Sequence, residues 1–177
     1  NLRNEADRVE CLARFQREAE VSGLLNHPGI VTIYDVGESE LGPFLAMEYV
    51  PGLPLDALIK SSQNLGIKEK LRIIAGVAEA LDHAHQFAVI HRDVKPGNVM
   101  ITEDGRPKLM DFGIAKREDA SLTQTGTFLG TPSYASPEQI REGTVDNRSD
   151  IFSFGVMTFE ILSGQSPFPG NSINTIL

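Results

Sequence analysis

The sequence predicts an α+β fold, and three observations predict it. Two pairs of short strand-like runs are each joined by a turn signal, as local hairpins require. Two long stretches carry apolar residues at helical spacing. A third apolar run, residues 151–162, is interrupted by Ser153, Thr158 and Glu160, so it reads as a buried helix and not as a membrane span. The chain has 177 residues, 41% hydrophobic and 23% charged, enough for one domain with a real core.

In chain order, residues 9–25 read as a helix, with Val9, Leu12, Phe15, Ala19 and Leu24 near one face and Pro28 barring continuation. Residues 30–36 and 44–50 alternate as strands around a turn at 37–42, and Pro51-Gly52 stops the second. Residues 55–60 suit a short helix. Residues 67–85 suit a long one, with Leu71, Ile74, Ala78 and Leu81 as its buried stripe. His83 and His85 end that helix but stand two apart, on different faces, so they do not read as a metal pair. Gly164 ends the helix that holds the 151–162 run.

Composition excludes several classes of function. A net charge of −8 leaves no basic footprint for nucleic acid. A single cysteine, Cys11, allows no internal disulfide framework and fits a reducing compartment. No signal peptide, membrane span or internal repeat is present. The start without Met and the new apolar segment at the last residues read as a piece cut from a longer protein.

The chemistry concentrates in residues 91–113, HRDVKPGNVMITEDGRPKLMDFG. Val99-Met100-Ile101 and Lys108-Leu109-Met110 are strand runs around an Asp104-Gly105 turn. A hairpin brings together the residues that flank it, Asn98 and Asp111, 13 positions apart in sequence. An amide oxygen and a carboxylate suit Mg²⁺, which takes a few hard oxygens and leaves its other positions to water or phosphate. Asp93, five residues before Asn98, faces what the metal holds, and Lys95 is a cation placed for negative oxygens. A carboxylate to orient a hydroxyl, a lysine and two metal ligands make a phosphoryl-transfer site. The bland alternative makes Asp93, Asn98 and Asp111 ordinary turn residues.

The pattern His91-Arg92-Asp93-Val94-Lys95-Pro96-Gly97-Asn98, followed by Asp111-Phe112-Gly113, resembles the eukaryotic-like (Hanks-type) serine/threonine protein kinase family, with Val94 where that family commonly has Leu. Gly130-Thr131-Pro132-Ser133-Tyr134-Ala135-Ser136-Pro137-Glu138 is similar to the end of its activation segment, with Ser136 in place of Ala, a variation of bacterial members. The resemblance implies a two-lobed fold truncated at both ends: a partial small lobe over residues 1–50 and a partial large lobe over 51–177, with catalytic loop 91–98 and activation segment 111–138. It implies ATP and Mg²⁺ as cofactors, protein Ser/Thr as substrate, and a cytoplasmic kinase domain, a membrane tether on the parent protein being compatible with it.

Residue by residue, the resemblance implies that Asp93, Lys95, Asn98 and Thr131 are catalytic, with Asn98 and Asp111 on the metal. Met47 is then the gatekeeper of the nucleotide pocket, the backbone of Glu48 and Val50 meets the adenine edge, and Met100 lines the pocket beside Lys95 and Asp111. Glu18, with Glu20 as competitor, pairs with an ATP-binding Lys. His91 stacks on Phe112 as a structural histidine. Asp150 holds the catalytic loop by backbone bonds. Residues 113–137 are hydroxyl-rich, with Ser121, Thr123, Thr125, Thr127, Thr131 and Ser133. Phosphate there adds about two negative charges that an arginine can hold; Thr123 and Thr125 are the expected sites, with Thr127 next, and Arg92 the expected partner, reached by trans-autophosphorylation in a kinase dimer, the alternative being an unmodified polar loop.

The chain departs from the family where a Gly-x-Gly-x-x-Gly loop and an ATP-binding Lys should precede Glu18, since its first Lys is Lys60. The arginine that pairs with the last Glu of the activation segment is also missing, which leaves Glu138 alone. The isolated stretch is therefore expected to be inactive. Two competing classes remain: a pseudokinase acting as a binding module, and a small-molecule phosphotransferase of the aminoglycoside or choline kinase type. The second lacks Arg92, an intact Asp-Phe-Gly and the Ser-Pro-Glu segment as a rule; all are present here.

Overall fold

The computed structural model of the protein describes residues 23–40, 42–61, 65–112, 132–141 and 143–169. The expected helix over 9–25 lies outside them except for its last residues, as do Cys11, Glu18, Glu20, Ser121, Thr123, Thr125, Thr127 and Thr131.

Two antiparallel sheets carry the described strands. β1 (Ile33–Ser39) pairs with β2 (Gly42–Met47), and the register shifts between Ile33 and Asp35. Residues 30–36 were expected as one strand. Instead Ile30 bridges Leu109 in parallel, with Val31 N–H on the Leu109 carbonyl at 2.9 Å and Leu109 N–H on the Gly29 carbonyl at 2.8 Å. The apolar run is split because its first residues satisfy the free edge of a different sheet.

That second sheet runs β3 (Gly52–Pro54), β4 (Val99–Thr102), β5 (Pro107–Leu109), with Val99 opposite Leu109 and Met100 opposite Lys108. The predicted hairpin therefore forms around its Asp-Gly turn. Period-2 alternation sends Val99, Ile101, Pro107 and Leu109 into the core and leaves Met100 and Lys108 on the other face. Gly52 is fixed by proximity: a Cβ there would lie 2.1 Å from the Ile101 carbonyl oxygen.

Helix α1 (Leu55–Lys60) matches its expected bounds, and α2 (Ile67–Gln86) exceeds its own by one residue. The stripe of α2 differs from expectation. Its buried residues are Ile73, Val77, Ala80, Leu81 and Ala84, while Leu71 is 53% exposed and Ile74 and Ala78 are half-buried. The helix carries apolar residues on two faces, and spacing alone cannot choose between them. The choice is made by the hairpin: Gly76 lies so close to it that a Cβ would meet Pro107 Cγ at 2.6 Å.

Beyond the hairpin come α3 (Pro137–Ile140), a single turn, and α4 (Asn147–Ser163). Asp146 caps α4 by accepting from Arg148 N–H at 2.9 Å, and Gly164 closes it in the left-handed conformation at φ 74°. One core joins these elements: Leu25, Ile30, Leu55, Leu58, the inner face of α2, Val94, Val99, Leu109, Phe112, Met157 and Ile161. Among the described residues no helix is long and apolar enough to cross a membrane.

Candidate active site

The loop from His91 to Asn98 enters the hairpin through a 3-10 turn, Pro96–Asn98. Few of its backbone groups bond to one another, so its shape is set by side chains. His91 is fully buried, its ring centroid 4.6 Å from that of Phe112, the stack expected of a structural histidine. Its Nε2 lies 3.0 Å from the Met110 carbonyl, and its Nδ1 accepts from Asp93 N–H at 3.2 Å. A carbonyl needs a donor and an N–H needs an acceptor, so the ring is the neutral Nε2–H tautomer. Burial holds its pKa below the ordinary value, against the pull of Asp150 and the Met110 carbonyl.

Asp93 is gripped from two sides. Lys95 Nζ lies 2.8 Å from Asp93 Oδ2, and Asn98 Nδ2 donates to the same oxygen at 2.9 Å and to the Asp93 carbonyl at 2.8 Å. Both amide hydrogens of Asn98 are thereby committed, which leaves its Oδ1 as the atom available to a cation. Across the hairpin the Asn98 carbonyl accepts from Met110 N–H at 3.0 Å. Asn98 thus faces Met110, and Asp111 stands one residue beyond the expected pairing. Asp111 is exposed and has a left-handed backbone, φ 59°, at the point where the chain leaves the sheet. The donor set of one amide oxygen and one exposed carboxylate fits Mg²⁺ in its usual manner, with few protein oxygens. Among the described residues no group of three or more His, Cys, Asp or Glu side chains forms an all-protein cage.

The loop is anchored from below by α4. Asp150, 1% exposed, accepts from His91 N–H at 2.8 Å and Arg92 N–H at 2.7 Å. His85 Nε2 adds a third bond to Asp150 Oδ2 at 2.8 Å, a partner with no signal in the sequence. His83 faces elsewhere, stacking on His27 and Phe87 with centroids 5.0 Å away, so the two histidines do occupy different faces. Arg92 takes φ 65° between its two neighbours.

Of the residues expected to form a hinge, Met47 is 36% exposed at the end of β2 and Val50 is buried. Glu48 N–H donates to the Thr32 carbonyl at 2.8 Å, so only its carbonyl remains for an adenine edge. Its side chain makes a bridge that sequence reasoning missed: Lys108 Nζ lies 2.6 and 2.8 Å from the two Glu48 oxygens, and Thr32 N–H donates to Oε2 at 3.2 Å. The lysine bond holds the Glu48 pKa below the usual carboxylate range. Lys108 stands opposite Met100, so the bridge ties the end of β2 to the outer face of the β4–β5 hairpin.

The residues expected to end the activation segment are also tied down. Glu138, expected to be alone, accepts from the Ser149 hydroxyl of α4, and that bond holds its pKa low. Tyr134 OH donates to Glu160, and Ser153 Oγ donates to the Tyr134 carbonyl at 2.8 Å.

The model of the protein kinase domain matches residues 1–177. The chain belongs to the protein kinase family. It is 45% identical over 166 residues to the serine/threonine-protein kinase PknB of Mycolicibacterium smegmatis, covering 90% of this chain and 27% of that protein. It is 47% identical over 173 residues to the probable serine/threonine-protein kinase PknB of Bifidobacterium longum, covering 91% and 25%. A probable serine/threonine-protein kinase of Streptomyces coelicolor is 43% identical over 167 residues, covering 90% and 25%. The chain thus spans about a quarter of the length of the bacterial relatives it matches. The two-lobed kinase fold follows from the family, and the described residues run from the turn before β1 to just past the helix that carries Asp150.

Proposed function

We propose that the protein carrying this chain is an ATP-dependent kinase of protein Ser/Thr residues, with a small-lobe part at residues 1–50 and a large-lobe part at 51–177. One observation carries the reading: the Asp93 carboxylate is held by Lys95 and Asn98 at the mouth of the hairpin whose second strand leads out to Asp111. Asn98 Oδ1 and the Asp111 carboxylate would hold Mg²⁺, which supplies charge neutralisation on the ATP phosphates. Asp93 orients the substrate hydroxyl and accepts its proton as the oxygen bonds to the γ-phosphorus and the bond to ADP breaks. Lys95, already 2.8 Å from Asp93, offsets charge on the phosphoryl group in flight. His91 takes no part as a base, because its Nδ1 is occupied and burial keeps it neutral.

The nucleotide would sit between Met47 and Met100, with the Glu48 carbonyl and the Val50 backbone on the adenine edge. Glu18 would pair with an ATP-binding Lys that these 177 residues do not contain ahead of Lys60. On its own this stretch therefore transfers phosphate slowly or not at all. Thr131 would bond Asp93 and Lys95, and phosphate on Thr123 or Thr125 would be held by Arg92 after transfer between two copies. Reducing cytoplasm, where ATP is abundant, suits this chemistry.

The test is intact mass of the complete gene product after incubation with Mg-ATP, beside its Asp93→Asn variant. Added phosphate on Thr123 or Thr125 in the unaltered protein alone is the expected result. No mass change in either, with a general Ser/Thr substrate also untouched, refutes the activity and leaves a binding module.

A further inference from the structure

Among the described residues, the side chain of Gln139 links the 91–98 loop to the end of the activation segment. Ser136 is fully buried at the N-cap of α3, and its Oγ faces Gln139 N–H at 3.4 Å. In return Gln139 Oε1 accepts from Ser136 N–H at 2.9 Å, which completes a capping box. The other end of the amide is used as well: Gln139 Nε2 donates to the Arg92 carbonyl at 2.8 Å, across 47 residues of sequence. The orientation of the amide is fixed by chemistry, because Ser136 N–H requires an acceptor and the Arg92 carbonyl requires a donor.

Arg92 is the residue before Asp93 and sits at φ 65°. Its N–H is held by Asp150 Oδ1 at 2.7 Å and its carbonyl by Gln139. Both backbone polar groups of this left-handed residue thus depend on side chains from two other helices, α4 and α3. A capping box needs only the acceptor, and Glu serves that purpose as well as Gln. The amide donor of Gln139 does something the cap does not require.

We propose that Gln139 is a positioning residue for phosphoryl transfer: by locking the Arg92 carbonyl it couples the Ser-Pro-Glu end of the activation segment to the aim of the Asp93 carboxylate. The inference rests on the kinase reading above. It gives Gln139 a role through Arg92 and no contact with substrate. Ser136 enters only as the cap that orients the amide.

Three variants of the complete gene product separate the two roles. Gln139→Glu keeps the acceptor for Ser136 N–H but sets a second acceptor against the Arg92 carbonyl. Gln139→Met fills the volume and removes both bonds. Ser136→Ala removes the hydroxyl half of the box and leaves the bond to Arg92. With Mg-ATP and a peptide of residues 119–133 as phosphate acceptor, kcat should fall roughly tenfold in both Gln139 variants, with KM for ATP within about twofold of the unaltered protein. Ser136→Ala should keep kcat within about twofold, although it removes the capping hydroxyl. If Gln139→Met fails to fold, Gln139→Glu carries the test, since Glu is at home in the box. An unchanged kcat in Gln139→Glu overturns the inference alone, and so does an equal loss of kcat in Ser136→Ala. Absence of any transfer that Asp93→Asn abolishes overturns this inference and the kinase reading together.

Discussion

Replacing Asp150 by Asn should loosen the catalytic loop without touching a reacting atom. The carboxylate accepts three hydrogen bonds inside the fold: Oδ2 from His91 N–H and His85 Nε2, both at 2.8 Å, and Oδ1 from Arg92 N–H at 2.7 Å. An asparagine has one oxygen. Its best placement keeps that oxygen at the Oδ2 position and turns the amide hydrogens toward Arg92 N–H, donor against donor. One buried N–H is then unsatisfied, at a cost of about 1–3 kcal/mol, and the two surviving bonds lose their charge assistance. The sum is about 3 kcal/mol, against a total domain stability of roughly 5–15 kcal/mol. Because Arg92 already sits at φ 65°, the loss should appear as local opening of the loop before global unfolding. Amide hydrogen exchange of the peptide containing His91 and Arg92 is the assay. About 3 kcal/mol corresponds to exchange accelerated roughly a hundredfold. Acceleration under threefold at those two amides would refute the view that Asp150 is what holds the loop.

Other outcomes follow from the same structure. Glu48→Gln and Lys108→Met should each cost about 1–2 kcal/mol, and a double-mutant cycle should return a coupling near 1 kcal/mol, since the pair is about four-fifths shielded from water. Acid should weaken the fold in two stages, followed by urea midpoints across pH. His91 has a depressed folded pKa, so the unfolded chain binds the extra proton and stability falls as pH drops below about 6.5; Glu48 and Glu138, also depressed, add a second loss below about 4.5. Gly52→Ala should cost more than about 2 kcal/mol in the same urea assay, because the new Cβ meets the Ile101 carbonyl oxygen at 2.1 Å and β3 must leave β4.

Legibility in the sequence followed the range of the interactions. The hairpin was readable to within one residue of its register, Asn98 facing Met110 in place of Asp111, because turn chemistry and period-2 alternation act within 13 residues. The cap at Gly164 was readable for the same reason. The stripe of α2 was misread because both its faces carry apolar residues, and the choice belongs to Pro107, 31 residues from Gly76. Asp150 was placed on the catalytic loop only through the family resemblance; its position in the first turn of a helix would have passed as a dipole preference. Glu48–Lys108, Gln139–Arg92 and Ser149–Glu138 join unremarkable polar residues, and the first two join them across 60 and 47 positions. No periodicity marks such pairs.

Those long-range bonds also explain how a loop with little backbone pairing can present a carboxylate in a fixed direction. Asp93 is aimed by its own N–H on His91, by Lys95 and by Asn98, all within five residues. That local set determines the shape of the loop but not its placement on the fold. Placement comes from elements downstream: Asp150 takes the N–H groups of His91 and Arg92, and Gln139 takes the Arg92 carbonyl. Gln139 stands in the one-turn α3, whose Glu138 is fastened to α4 through Ser149. Among the described residues, a rearrangement of the segment that leads into α3 would therefore reach Asp93 by way of the Arg92 carbonyl, two bonds from its backbone nitrogen. The local motif holds the Asp93 carboxylate, and the elements that follow it hold the backbone of the loop that carries it.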